Sequence, residues 1–157
     1  MSDWISGAFG LAGVIIGATI TQGAAWWQKR KRHLAYWSAI SAEVDLCRDH
    51  AEEYCDAQAY APLYRLPTTA YTQGFPALLG DGVVSHDDAK FILAFYGLVE
   101  QFNRGLEQVH EANVQDVGGG RVRDEAGRLD VKARHMIAPN GLYPAVRRVI
   151  DAHLTAP

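Results

Sequence analysis

A chain of 157 residues with 48% hydrophobic and 21% charged side chains has the make-up of about one folded domain, which excludes bulk disorder. The formal net charge of -3 is unevenly placed: no charge lies between Asp3 and Lys29, Lys29 to Arg32 is a basic block, His33 to Val117 is acidic, and the tail from Gly118 is again basic. That distribution lacks the basic stripe of a nucleic-acid binder, so no nucleic-acid partner is expected.

Residues 1–28 read as a transmembrane anchor. Trp4 to Trp27 is an uncharged run with an apolar centre of Phe9, Leu11, Val14, Ile15, Ile16 and Ile20. As a helix it spans roughly 36 Å, more than the ~30 Å hydrocarbon core of a bilayer. Trp4 at one end and Trp26 with Trp27 at the other match the aromatic belts of the two interfaces. Lys29, Arg30, Lys31 and Arg32 follow directly, and cations beside a span are retained on the cytosolic side, which puts the N-terminus outside. The same cations fit anionic lipid head groups. Two rival readings are a cleaved secretory signal, whose positive charge belongs before the apolar run rather than after it, and a glycine-rich helix buried in a soluble core.

Along the span Ser6 and Gly10 are four apart, and Gly13, Gly17, Thr21 and Ala25 continue the row of small residues at that spacing. Such rows let helix backbones approach closely in lipid, so this face is expected to self-associate into a homo-oligomer. Thr19, Thr21 and Gln22 in an oligomer offer the polar lining that a pore would need.

Residues 29–60 read as a basic juxtamembrane segment and a stalk helix. Trp37, Ile40, Val44, Cys47, Ala51 and Tyr54 recur at spacings of three and four, while Glu43, Asp45 and Asp49 are placed on the other faces. With no Pro or Gly between Ala24 and Tyr60, anchor and stalk are expected to form one helix up to Pro62. Cys47 and Cys55 on that helix stand about 12 Å apart, beyond disulfide reach, which points to a reducing compartment.

Residues 61–157 complete the predicted domain. A short helix carrying Tyr71, Phe75, Leu78 and Leu79 starts at a Thr N-cap after Pro67 and ends at the turn Gly80-Asp81-Gly82. Ser85 with Asp88 resembles a capping box and opens a long helix with the stripe Phe91, Ile92, Phe95, Val99, Phe102, Leu106 and Val109. A flexible loop near 114–128 follows, then helices over Leu129–Ala138 and Leu142–Leu154, separated by Pro139-Asn140-Gly141. Strand patterns are nearly absent. The expected fold is all-α: a membrane helix continuing into a cytosolic bundle of about four helices, its two long helices antiparallel.

With a single membrane helix and a basic block, the segments Leu66-Pro67-Thr68-Thr69-Ala70-Tyr71 and Phe95-Tyr96-Gly97-Leu98-Val99-Glu100-Gln101-Phe102-Asn103 give the chain a resemblance from Trp4 to Leu106. It resembles small bacterial single-pass membrane-anchored helical proteins of unknown function. The resemblance implies a bacterial or phage origin, an inner-membrane location and no enzymology. Some proteins of that build act as membrane effectors in antiphage systems, which adds a second reading, a membrane-disrupting or pore-forming effector.

Chemistry-bearing patterns are sparse. Gly118-Gly119-Gly120 has no preceding strand and no Gly-Lys-Ser or Gly-Lys-Thr, so no nucleotide cofactor is expected. Cys47 with His50, and Glu43 one turn earlier, are too few for a metal site. Glu100 and Asn103 flank the apolar stripe and are predicted to form a buried polar clamp, with Arg48 or Arg65 as partners. A membrane-surface enzyme would need a concave polar site around Glu100, Asn103 or the Gly118 loop. The leading expectation is a non-enzymatic, self-associating membrane protein whose cytosolic bundle contacts another protein.

Overall fold

Apolar spacing and punctuation place five helices in the computed structural model, which describes residues 2–57, 65–115 and 120–155, without the side chains of 2–20 and 57. They are α1 (Ser2–Ala57), α2 (Thr69–Gly80), α3 (His86–Gln115), α4 (Gly120–Ile137) and α5 (Leu142–Thr155). The fold is all-α, and no strand occurs among the described residues. The chain divides into two units, Met1–Ala35 and Tyr36–Pro157.

The second unit holds the core. Every member of the predicted stripe from Trp37 to Tyr54 is buried, joined by Phe75 and Leu78 of α2 and by Leu129, Met136 and Ile150 of α4 and α5. In α3 the stripe from Ile92 to Val109 is buried, but Phe91 faces solvent, as does Leu79 in α2. Phe91 shares a face with Phe95 and Leu98, which are buried, so its exposure reflects its place in the opening turns of α3 rather than its side of the helix.

Helix order is set by which side chains meet. Trp37 and Asp88 share His153, Glu43 bonds Tyr96, and Tyr54 packs edge-on against Phe102, so contacts climb α1 and α3 in the same sense. The two long helices therefore run parallel, correcting the antiparallel expectation. Residues 65–85 make the return: Leu66 lies at Asn103, Tyr71 stacks on Tyr96, and Gly74 lies against Tyr36. α4 runs antiparallel to α3, with Leu129 against Gly105 and Lys132 donating to the Gln101 carbonyl. α5 continues in that sense against α1, with Tyr143 at Asp45 and His153 at Trp37.

The turns follow local chemistry. α2 ends in a Schellman motif: Val83 N–H donates to Leu78 O at 3.1 Å, Gly82 N–H to Leu79 O at 3.0 Å, and Gly82 has φ 69°. Ser85 Oγ accepts from Asp88 N–H at 3.1 Å, the first half of the predicted capping box. Between α4 and α5, a Cβ at Gly141 would run into the His135 carbonyl, so the tight turn requires glycine. The loop expected near 114–128 is mostly helix, since α3 extends to Gln115 and α4 starts at Gly120; residues 116–119 lie outside the described residues. Arg128 pairs with Glu125 at 2.9 Å, and Ala126 and Leu129 are buried, so packing and local ion pairs carry helix through a charged stretch.

Candidate functional site

Two places concentrate the predicted functional residues, one in each unit. In the first unit, Trp26 and Trp27 are 62% and 55% exposed, beside the basic block on the same helix. Arg30 Cζ lies 5.6 Å from the Trp26 ring centre and Lys31 Nζ 3.6 Å from that of Trp27, so each indole has a cation over its face one turn on. At ~100° per residue the four consecutive cations from Lys29 to Arg32 point to all sides of the helix. The result is a collar, whereas a helix lying in a membrane surface keeps its cations on one face.

Thr21, the last of the predicted association row, is exposed. Ser6, Gly10, Gly13 and Gly17, and Trp4 at the far interface, lie in the stretch whose side chains are outside the described residues. Among the described residues no helix is long and apolar enough to cross a membrane, and residues 2–20 hold most of the Trp4–Trp27 segment.

In the second unit, the clamp predicted from Glu100 and Asn103 is built differently. Glu100 turns to solvent and lies 3.7 Å from Arg104 on its own helix. Neither Arg48 nor Arg65 meets it: Arg65 pairs with Glu107 at 2.6 Å, and Arg48 with Asp49 and the Tyr143 hydroxyl. The reason is geometric. Glu100 sits ~40° beyond Tyr96, past the edge of the buried face that runs from Leu98 round to Tyr96. Asn103 is half-buried and engages both backbone groups of Leu66, accepting from its N–H at 2.8 Å and donating to its carbonyl at 2.9 Å. A single side-chain amide thus supplies the pairing that a neighbouring strand would otherwise provide.

The residue missed from sequence is Glu43, 7% exposed. Its carboxylate accepts from Ala70 N–H at 2.7 Å, Tyr71 N–H at 3.0 Å and Tyr96 O–H at 2.8 Å. Ala70 and Tyr71 carry free amides of the first turn of α2, and Thr68 at the N-cap makes no side-chain cap bond. Glu43 caps that helix from across the core, and a carboxylate at the positive end of a helix dipole is favourably placed. A signal existed: Glu43 stands three after Ile40 and four before Cys47, on the stripe's own spacing.

Around this carboxylate the acidic groups are held neutral. Burial, and then the nearby Glu43, push the Cys47 thiol and the Tyr96 phenol far above their ordinary ranges. Cys47 Sγ lies 3.5 Å from the Pro67 carbonyl as a weak donor. His50 lies 3.6 Å from Glu53, and among the described residues no three His, Cys, Asp or Glu side chains gather as metal ligands. The segment from Leu66 to Tyr71 and the segment from Phe95 to Asn103 are thus in contact through Asn103–Leu66 and Tyr96–Tyr71. Together they fasten α2 to α1 and α3.

A second polar seam joins α1 and α5. Arg147 pairs with Asp45 at 3.0 Å, with Asp151 at 3.0 Å and with the Ser41 hydroxyl, while Tyr143 donates to Asp45 at 2.9 Å. Compared with known proteins, the chain matches no family model, no curated protein and no solved structure.

Proposed function

We propose that this chain is a single-pass protein of a bacterial inner membrane, its N-terminus outside and its helical domain, from the basic block onward, in the cytosol. The observation that carries the reading is the collar: two exposed indoles, then cations on every side of one continuous helix. Indoles favour the head-group level, and cations placed all round a helix suit one that passes through an anionic surface. The uncharged run ahead of the collar has the length for a crossing.

The protein acts by contact rather than by catalysis in this reading. The buried Glu43 and the half-buried Asn103 have their hydrogen bonds committed to the backbone of residues 66–71 and to the Tyr96 hydroxyl. The row Ser6, Gly10, Gly13, Gly17 and Thr21 supplies a face for a second copy, and the helical domain serves a cytosolic protein partner.

Membranes from cells expressing the full chain, washed in alkaline carbonate, test it. Retention in the pellet is expected, with a cross-linked dimer or larger species that Gly17→Leu diminishes. Release into the supernatant rejects the crossing, and an unchanged cross-linking pattern in Gly17→Leu rejects association through this face.

A further inference from the structure

α4 contains a glycine that packing does not ask for. Gly127 is exposed in the middle of the helix, and a Cβ there would meet nothing within 4 Å. Glycine weakens an exposed helix interior relative to alanine, and here no neighbour requires the missing side chain. Gly105 is the contrast, because a Cβ on it would fall 2.7 Å from Leu129 Cδ1.

What Gly127 does is leave open the floor of a groove of about 300 Å³ between the end of α1 and α4. That volume lies at the lower end of small-ligand cavities. Arg123, Gly127, Asp130 and Arg134 succeed one another at spacings of four, three and four, so they line one face of α4, while Tyr54 and Cys55 form the wall on α1. Arg134 Nε bonds Asp130 Oδ2 at 2.7 Å, which sets one cation against the groove's one carboxylate. Arg123, one turn before the glycine, is exposed and has no ion pair among the described residues. The groove thus joins an uncompensated guanidinium to an aromatic ring, a thiol and a bare stretch of helix.

We infer that this groove binds a small ligand with an oxyanion head, phosphate or carboxylate, on a flat apolar body. The planar guanidinium of Arg123 offers paired N–H donors to two oxygens of the head. The body lies over Gly127 against Tyr54, where any larger side chain on α4 would take its place. The groove belongs to the unit Tyr36–Pro157, and the inference stands independently of whether the N-terminal segment crosses a membrane.

Cys55 gives the readout, since it is half-buried in the groove wall while Cys47 is buried in the core. The full chain in mild detergent is alkylated with iodoacetamide at constant pH, and Cys55 modification is followed by peptide mass analysis in the presence of phenyl phosphate, benzoate or inorganic phosphate. Millimolar phenyl phosphate or benzoate is expected to slow Cys55 modification several-fold, and the stronger of the two identifies the head. Arg123→Gln is expected to abolish the protection without moving the thermal midpoint. Gly127→Leu is expected to abolish it while raising that midpoint. Absence of protection by both aromatic anions, or equal protection in Arg123→Gln, overturns the site; equal protection by inorganic phosphate overturns the apolar body.

Discussion

Trp26, Trp27 and Trp37 stand a few turns apart on one helix, yet Trp37 is 1% exposed and Trp26 62%. Trp37 has the His153 ring stacked on it at 4.4 Å and the core of α3 and α5 around it. The described ring contacts of Trp26 and Trp27 are with Arg30 and Lys31, one turn on in the same helix. The same side chain on the same element therefore serves two purposes, and the surroundings decide which. After Tyr36, tertiary partners take the apolar surface out of water; before it, the described indoles stay exposed beside cations.

The first way to break that comparison is to remove what organises the buried half. Glu43→Ala strands two backbone amides and a tyrosine hydroxyl, each of which costs about 1–3 kcal/mol when buried without a partner. A loss of at least ~3 kcal/mol in denaturant unfolding is expected, with hydrogen exchange at Ala70 and Tyr71 accelerated first. A loss under ~1 kcal/mol would show that water replaces the carboxylate and that α2 is held by its apolar side chains alone. Asn103→Ala comes next, at about 2 kcal/mol, because it frees both backbone groups of the buried Leu66.

These two side chains also mark the limit of what the sequence discloses. Periodicity revealed the buried stripes of α1 and α3 because apolar residues three and four apart can share only one face of a helix. Glu43 escapes it because a charged side chain argues for solvent, although the residue lies on the stripe's own spacing between Ile40 and Cys47. Asn103 has the same signature, four after Val99 and three before Leu106, whereas Glu100 lacks it and is exposed. Helix direction was not legible, since parallel long helices depend on how far residues 65–85 carry the chain back, which no local pattern encodes. Nor was the start of α4 at Gly120, where three glycines and a run of charges argue for loop and only the burial of Ala126 and Leu129 argues for helix. The placing of Lys29 to Arg32 round the helix was legible, because it depends on residue order alone, whereas the exposure of Trp26 and Trp27 was not.

A third test sharpens the contrast from the exposed side. Replacing Trp26 and Trp27 together by alanine is expected to leave the unfolding free energy of the second unit within about 0.5 kcal/mol of the parent, since exposed sites away from structural features rarely move it further. It should weaken attachment to vesicles containing anionic lipid. Trp37→Ala should do the reverse, costing about 3–5 kcal/mol of stability. If the Trp26 and Trp27 double variant destabilises the core comparably, the two halves of α1 are not doing different work.

The smallest expected effect is a pH dependence confined to the buried half. Burial and Glu43 hold the Cys47 thiol and Tyr96 phenol in their neutral forms far above their ordinary ranges. In the unfolded chain they ionise near pH ~8.5 and ~10, so their contribution is whole below about pH 8.5 and is lost as pH rises beyond it. Stability should therefore fall on the alkaline side, and Tyr96→Phe should flatten the upper part of that fall at a cost of about 1 kcal/mol at neutral pH. An alkaline limb unchanged in Tyr96→Phe would assign the loss to other groups.

The crossing of the membrane by the segment ahead of the basic block is tested most directly by its topology. Tags at the two ends of the full chain are exposed to protease in intact spheroplasts and again after lysis. Cleavage of the N-terminal tag from outside, with the C-terminal tag protected until the membrane is broken, is the predicted result. Protection of both tags in intact spheroplasts, followed by cleavage of both on lysis, contradicts it and makes Trp26, Trp27 and their cations a surface that the protein uses without crossing.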